Sequence, residues 1–115
     1  MRKIKIEKTK ITEDKVKFQG DKNKELDYKD LMGMALDVVP QGGFTPKDIR
    51  ERNRIQDALD KATITTIELE DADYDNLERV VKDSRWSLRD KELNQFLQNF
   101  EDGVYKKDKK DSPTL

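Results

Sequence analysis

From Thr63 to Glu70 the residues alternate, and the alternation stops at a point where a helix has to begin. Ile64, Thr66, Glu68 and Glu70 fall on one side of an extended chain, and Thr65, Ile67 and Leu69 on the other. The β-branched run Ile64–Ile67 favours a strand, and the Ile67/Leu69 side is its apolar, inward face. Asp71, Asp73 and Asp75 follow at once. Carboxylates in a first helical turn are favoured by the free backbone N–H groups and the helix dipole. Tyr74, Leu77, Val80 and Val81 then recur at helical spacing, so the stretch reads as strand, short turn, helix. Ser84–Ser87 interrupts the pattern, and Ser87 with Asp90 resembles a capping box. Leu93, Phe96, Leu97 and Phe100 give the i, i+3, i+4, i+7 stripe of a last helix, with Gly103 placed as its C-terminal stop.

The same acidic run invites a calcium reading. The EF-hand loop requires Gly at its sixth position and Glu at its twelfth, whereas Asn76 and Lys82 stand there. The bidentate ligand is missing and the helical stripe runs through the would-be loop. Charge complementarity at a helix start is the expectation, with no metal and no cofactor.

Ahead of this region, residues 2–8 alternate with Ile4 and Ile6 on one face, and Val16 and Phe18 repeat the pattern before Gly20. The expectation is a β-hairpin over about residues 2–18, with Val16 and Phe18 inward and lysines outward keeping the edge soluble. Asp27 is placed to cap a helix carrying Tyr28, Leu31, Ala35 and Val38 and ended by Pro40. Gly33 inside it suggests close packing on a neighbour, and Met32 and Met34 suggest either core or an adaptable groove. Thr45-Pro46-Lys47-Asp48 is a capping-box start with Pro at the first helical position. Ile49, Ile55, Leu59 and Ala62 are its expected inner face.

A chain of 115 residues with this order of elements is expected to be one α+β domain over 1–103. It would hold a small antiparallel sheet (strands near 3–7, 15–18 and 64–69) against about four helices, with 104–115 a disordered charged tail. Only 33% of residues are hydrophobic and 43% are charged, so the core is thin and the surface densely charged. The 24 basic and 25 acidic residues nearly cancel, giving no global pull toward nucleic acid or anionic membrane.

There is no Cys and no His. This removes Ser-His-Asp and Cys-His nucleophilic sites and the commonest metal ligand. Carboxylates among Glu68, Glu70, Asp71 and Asp73 remain the one route to acid–base chemistry, and proximity in sequence does not make them a site. Neither a membrane span nor a signal-peptide apolar region is seen, so a cytoplasmic protein is expected.

The run Gly-Gly-Phe-Thr-Pro-Lys-Asp-Ile-Arg-Glu-Arg-Asn-Arg-Ile-Gln-Asp-Ala-Leu-Asp-Lys-Ala from Gly42, and the run Ile-Glu-Leu-Glu-Asp-Ala-Asp-Tyr-Asp-Asn-Leu from Ile67, resemble small bacteriophage and prophage open reading frames. The resemblance covers roughly residues 26 to 100. It implies a phage-encoded protein acting in a bacterial cytoplasm or in the virion, partnered with a phage structural protein or a host protein. The expected function is therefore a non-enzymatic protein–protein interaction module. Interfaces are anchored by aromatic residues and Arg. Phe44, Trp86 and Tyr105 are the candidate aromatic anchors, Arg50 and Arg54 the charged ones, and Trp86 reads first as a plug closing the junction between two helices. The alternative is a nucleic-acid-binding or transcription-linked regulator using the Arg50/Arg52/Arg54 helix.

Overall fold

The computed structural model describes residues 1–86 and 88–105. In chain order the elements are β1 (Arg2–Lys5), β2 (Lys8–Thr12), a 3-10 turn (Glu13–Lys15), β3 (Glu25–Asp27), α1 (Tyr28–Asp37), α2 (Pro46–Asp60), β4 (Thr66–Leu69), α3 (Asp71–Asp83) and α4 (Lys91–Glu101). The α+β class is as expected, with two antiparallel two-stranded sheets among the described residues, β1–β4 and β2–β3.

The N-terminal hairpin does not form. Ile4 and Ile6 do face inward, but β1 pairs with β4, Ile4 opposite Ile67 and Arg2 opposite Leu69. Ile4 and Ile6 are buried, and so are Thr9 and Ile11, so the inward parity flips between the two strands. An irregularity between Lys8 and Thr12 in the β2–β3 register accompanies the flip. A strand that changes face this way serves two partners. Buried Thr9 spans the irregularity: its hydroxyl donates to the Leu26 carbonyl at 2.7 Å and accepts the Ile11 N–H at 3.1 Å. The outer edge of β2 is engaged by α4, whose Glu92 carboxylate accepts the Lys10 N–H at 2.8 Å.

Residues 15–18 are not a strand. Lys17 N–H donates to the Glu13 carbonyl at 3.0 Å, which winds the chain into a turn. The Glu13 carboxylate accepts the Asp21 N–H at 3.0 Å and pairs with Lys24 at 3.4 Å. The Asp21 N–H and the two lysines hold the Glu13 carboxyl below the ordinary carboxylate range. Gly20 is required here, because a Cβ would lie 2.5 Å from the Glu13 carbonyl oxygen. Val16 ends half-buried and Phe18 fully outside.

The helix starts are set by their caps. Asp27 and Asp30 form a reciprocal capping box on α1, and Thr45 and Asp48 form one on α2. On α4 the cap is Asp90 itself, accepting the Glu92 N–H at 2.7 Å, so that helix begins three residues later than a Ser87 cap would place it. Ser87 lies outside the described residues. Gly103, at φ 69°, closes α4 as expected. α1 stops at Asp37, short of Pro40. On α2 only Ile55 and Leu59 are buried; Ile49, in the first turn, is exposed, and Ala62 lies beyond the helix end and is half-buried.

The core runs from Ile4, Leu31, Met32, Ile55, Leu59, Ile67 and Leu69 through Tyr74, Leu77 and Val81 to Leu93, Phe96 and Phe100. Gly33 is not a close-packing point: a Cβ there would meet only the Gln56 side-chain oxygen, at 4.0 Å. Gly33→Ala is therefore expected to stabilise the protein by about 0.5–1 kcal/mol, from helix propensity without a clash. A urea melt with an unchanged slope and a higher midpoint is the expected readout. A lower midpoint would show that α1 and α2 sit closer than described.

Tyr105 corrects another expectation. It is buried, its ring edge-on to Phe100 at 5.3 Å, and its hydroxyl accepts from the Asn99 amide at 3.1 Å. The turn after Gly103 folds it back onto α4, so the folded chain reaches at least that far. The remainder of the expected tail, 106–115, lies outside the described residues.

Candidate interaction surface

The α1–α2 junction gathers half of the large apolar side chains that the fold leaves outside among the described residues. Val38 is 41% exposed, Val39 62%, Phe44 37% and Ile49 48%. They fall within twelve residues of sequence, and Arg52 links two of them, Val38 and Phe44. Its guanidinium donates to the α1 carbonyls of Ala35 (3.4 Å) and Leu36 (2.9 Å) and to that of Val38 (2.9 Å). It thereby satisfies acceptors that a helix end leaves open, with a cation at the negative end of the dipole. The same guanidinium lies over the Phe44 ring, 5.0 Å from its centroid. Ile49 precedes Arg52 by three residues and so shares its side of α2.

The sequence pattern Arg50-x-Arg52-x-Arg54 suggested phosphate contacts, but two of the three arginines have work inside the protein. Arg52 closes α1, and Arg54 pairs with buried Asp73 at 3.4 Å. Arg50 is exposed and makes no ion pair among the described residues. Its neighbour Glu51 turns toward α3, accepting from Asn76 at 3.2 Å and pairing with Arg79 at 3.4 Å. Between α2 and α3 these groups line a polar cleft of about 300 Å³ with Val38, Lys47 and Asp83 at its rim. Acids and bases alternate around it, which gives no single-sign field for a polyanion.

Trp86 stands beside this junction rather than on it. It is half-buried, edge-on to Phe96 at 6.3 Å, and it walls a separate groove of about 270 Å³ with Val16, Met34 and Val38. It is thus both a plug on α4 and part of an apolar surface. The two grooves share Val38 and Ser84. Met32 is wholly buried while Met34 opens into the groove, so the methionine pair divides between core and surface. Tyr105, the third aromatic candidate, is spent on the core.

The acidic run does not converge. Asp71 and Asp75 turn to Arg2, at 3.3 and 3.9 Å, and Asp73 to Arg54. Among the described residues no cluster of three potential ligands has the geometry to hold a metal ion. Nor is any helix there long and apolar enough to cross a membrane.

The exposure of Phe44 was legible because a lone aromatic in a Gly-containing loop has no core to join. Val38, Val39 and Ile49 were not, since their spacing equally fits an inner helix face. No family model, no curated protein and no solved structure matches this chain.

Proposed function

We propose that the chain is a non-enzymatic protein–protein interaction module whose contact surface is the α1–α2 junction. The observation that carries the reading is the exposure of Val38, Val39, Phe44 and Ile49 around Arg52, which bonds the Val38 carbonyl and stacks on Phe44. Apolar residues scattered singly on a surface mean little, whereas a contiguous group rimmed by polar residues marks a docking face. Here Lys47, Asp48, Glu51 and Arg79 line the cleft that adjoins the group at Val38. The Arg52–Phe44 stack pre-orders the loop, so a partner meets an aromatic anchor at reduced entropic cost. The resemblance to small phage reading frames makes a virion component during assembly, or a host protein, the expected partner.

The test is capture from infected or lysogenic lysate with the tagged wild type and Phe44→Ala in parallel. Phe44 is peripheral to the core, so the variant should keep its circular dichroism and melting temperature. It should lose a stoichiometric protein that the wild type retains, with affinity down by about tenfold or more. Equal capture by both proteins would remove the loop from consideration. Nucleic acid in place of protein, eluting steeply with salt, would favour a regulator instead.

A further inference from the structure

Two buried polar atoms on α3 are chemically complementary, and neither has a partner. The Tyr74 hydroxyl is a donor with no acceptor among the described residues, and Glu78 Oε2 is an acceptor with no donor. Tyr74 is wholly buried. Glu78 follows it by four residues, so the two side chains share one face of α3, a turn apart. Burial first and the Glu78 charge next push the Tyr74 phenol up, so the carboxylate lies close enough to act on it. The two groups are neighbours that no hydrogen bond joins.

Each of them is held by other contacts. The Tyr74 ring stacks with Phe100 at 6.1 Å, and the Arg2 guanidinium lies over it, 4.8 Å from its centroid. Arg2 is in turn paired with Asp71 at 3.3 Å. At Glu78 the other carboxylate oxygen, Oε1, pairs with Lys82 at 3.9 Å. Swinging either side chain across to the other would give up these contacts. Leaving both atoms unbonded would cost more, because a buried polar group without a partner has lost its hydration and gained nothing. Buried polar groups in native folds are nearly all bonded to protein or to ordered water. A water molecule meets both needs at once, since it accepts from a phenol and donates to a carboxylate. Two polar partners are what a buried water requires at the least.

We propose that the core binds one ordered water between Tyr74 and Glu78, which accepts from the Tyr74 hydroxyl and donates to Glu78 Oε2. The site does not depend on the α1–α2 junction binding a partner.

A high-resolution crystal structure of the full chain tests it directly, with a water peak expected within about 3.2 Å of both atoms. No peak there, or a direct bond between Tyr74 and Glu78, overturns the proposal. Urea denaturation gives an independent reading. Tyr74→Phe and Glu78→Met each keep most of the side chain's bulk and strand the opposite group. Each should therefore raise the unfolding equilibrium constant by about tenfold. With both substitutions together no polar group is left stranded, so the double variant should lose far less than the product of the two single losses. Lys82→Met removes only the partly exposed ion pair and should change little. Single losses that simply multiply in the double variant would show that the two groups share no partner, and would overturn the proposal. So would a Lys82→Met loss as large as that of Glu78→Met, which would place the effect at the surface pair.

Discussion

Phe96→Ala should be the most damaging single substitution in this chain, lowering stability by about 3–5 kcal/mol. Phe96 is wholly buried and meets three other rings: Tyr28 at 5.0 Å, Phe100 at 5.4 Å and Trp86 at 6.3 Å, all edge-on. Each such contact adds to the area term, and none can close over the cavity that Ala would leave. Through them α4 is joined to α1 and to the segment after α3. A domain of this size has only about 5–15 kcal/mol in hand. The melting temperature should therefore fall by roughly 10–20 °C, and the variant should be partly unfolded near body temperature. Phe96→Leu keeps most of the volume and should cost about 1.5 kcal/mol or less. Trp86→Ala, at a half-buried site, should fall between the two. Chemical denaturation of the three variants beside Phe18→Ala, which should sit near zero, checks the order. A Phe96→Ala loss below about 1 kcal/mol would mean that α4 is not docked as described.

What could be read from the sequence follows from how far each signal reaches along the chain. The α4 stripe, the caps at Asp27 and Thr45, and the stop at Gly103 involve residues within one or two turns, and all appear in the fold. The inward faces Ile4/Ile6 and Ile67/Leu69 were likewise legible, because alternation fixes a face. It does not fix a neighbour. β1 finds β4 across more than sixty residues, and β3 has Leu26 as its only apolar residue, too short to announce itself. Val16 and Phe18 alternate like a strand, yet Glu13 and Gly20 wind them into a turn; the side chain that decides this is a carboxylate reaching eight residues ahead. The candidate surface divides in the same way. Phe44 stood out by its loop, but Arg52 looked like a phosphate ligand because its real acceptors, the last carbonyls of α1, are exposed only once that helix has ended beside it.

The second large effect should come at alkaline pH, where the protein is expected to unfold as its tyrosines ionise together. All three tyrosines, Tyr28, Tyr74 and Tyr105, are buried. Burial, with Glu7 nearby, pushes Tyr28 up to about 12. Burial and then Glu78 push Tyr74 up further, against the pull of Arg2. Burial raises Tyr105 too, opposed by its bond to Asn99. A phenol that ionises less readily in the fold than in the unfolded chain stabilises the fold while it is protonated. That contribution is complete below the ordinary tyrosine value of about 10 and is lost as pH climbs through the folded values. Tyrosinate absorbance and far-ultraviolet circular dichroism should therefore change in one shared step above pH of about 10, with no earlier absorbance rise. Net negative charge also builds up at high pH, so general repulsion must be separated from ring burial. High salt does this: it screens repulsion between surface charges and barely touches the cost of an ionised ring in the core. If the step stays in place in salt, burial is its cause. If one third of the absorbance appears near the ordinary tyrosine value with the dichroism intact, one ring is outside the core. Tyr105, held by a single turn beyond α4, is then the ring to test with Tyr105→Phe.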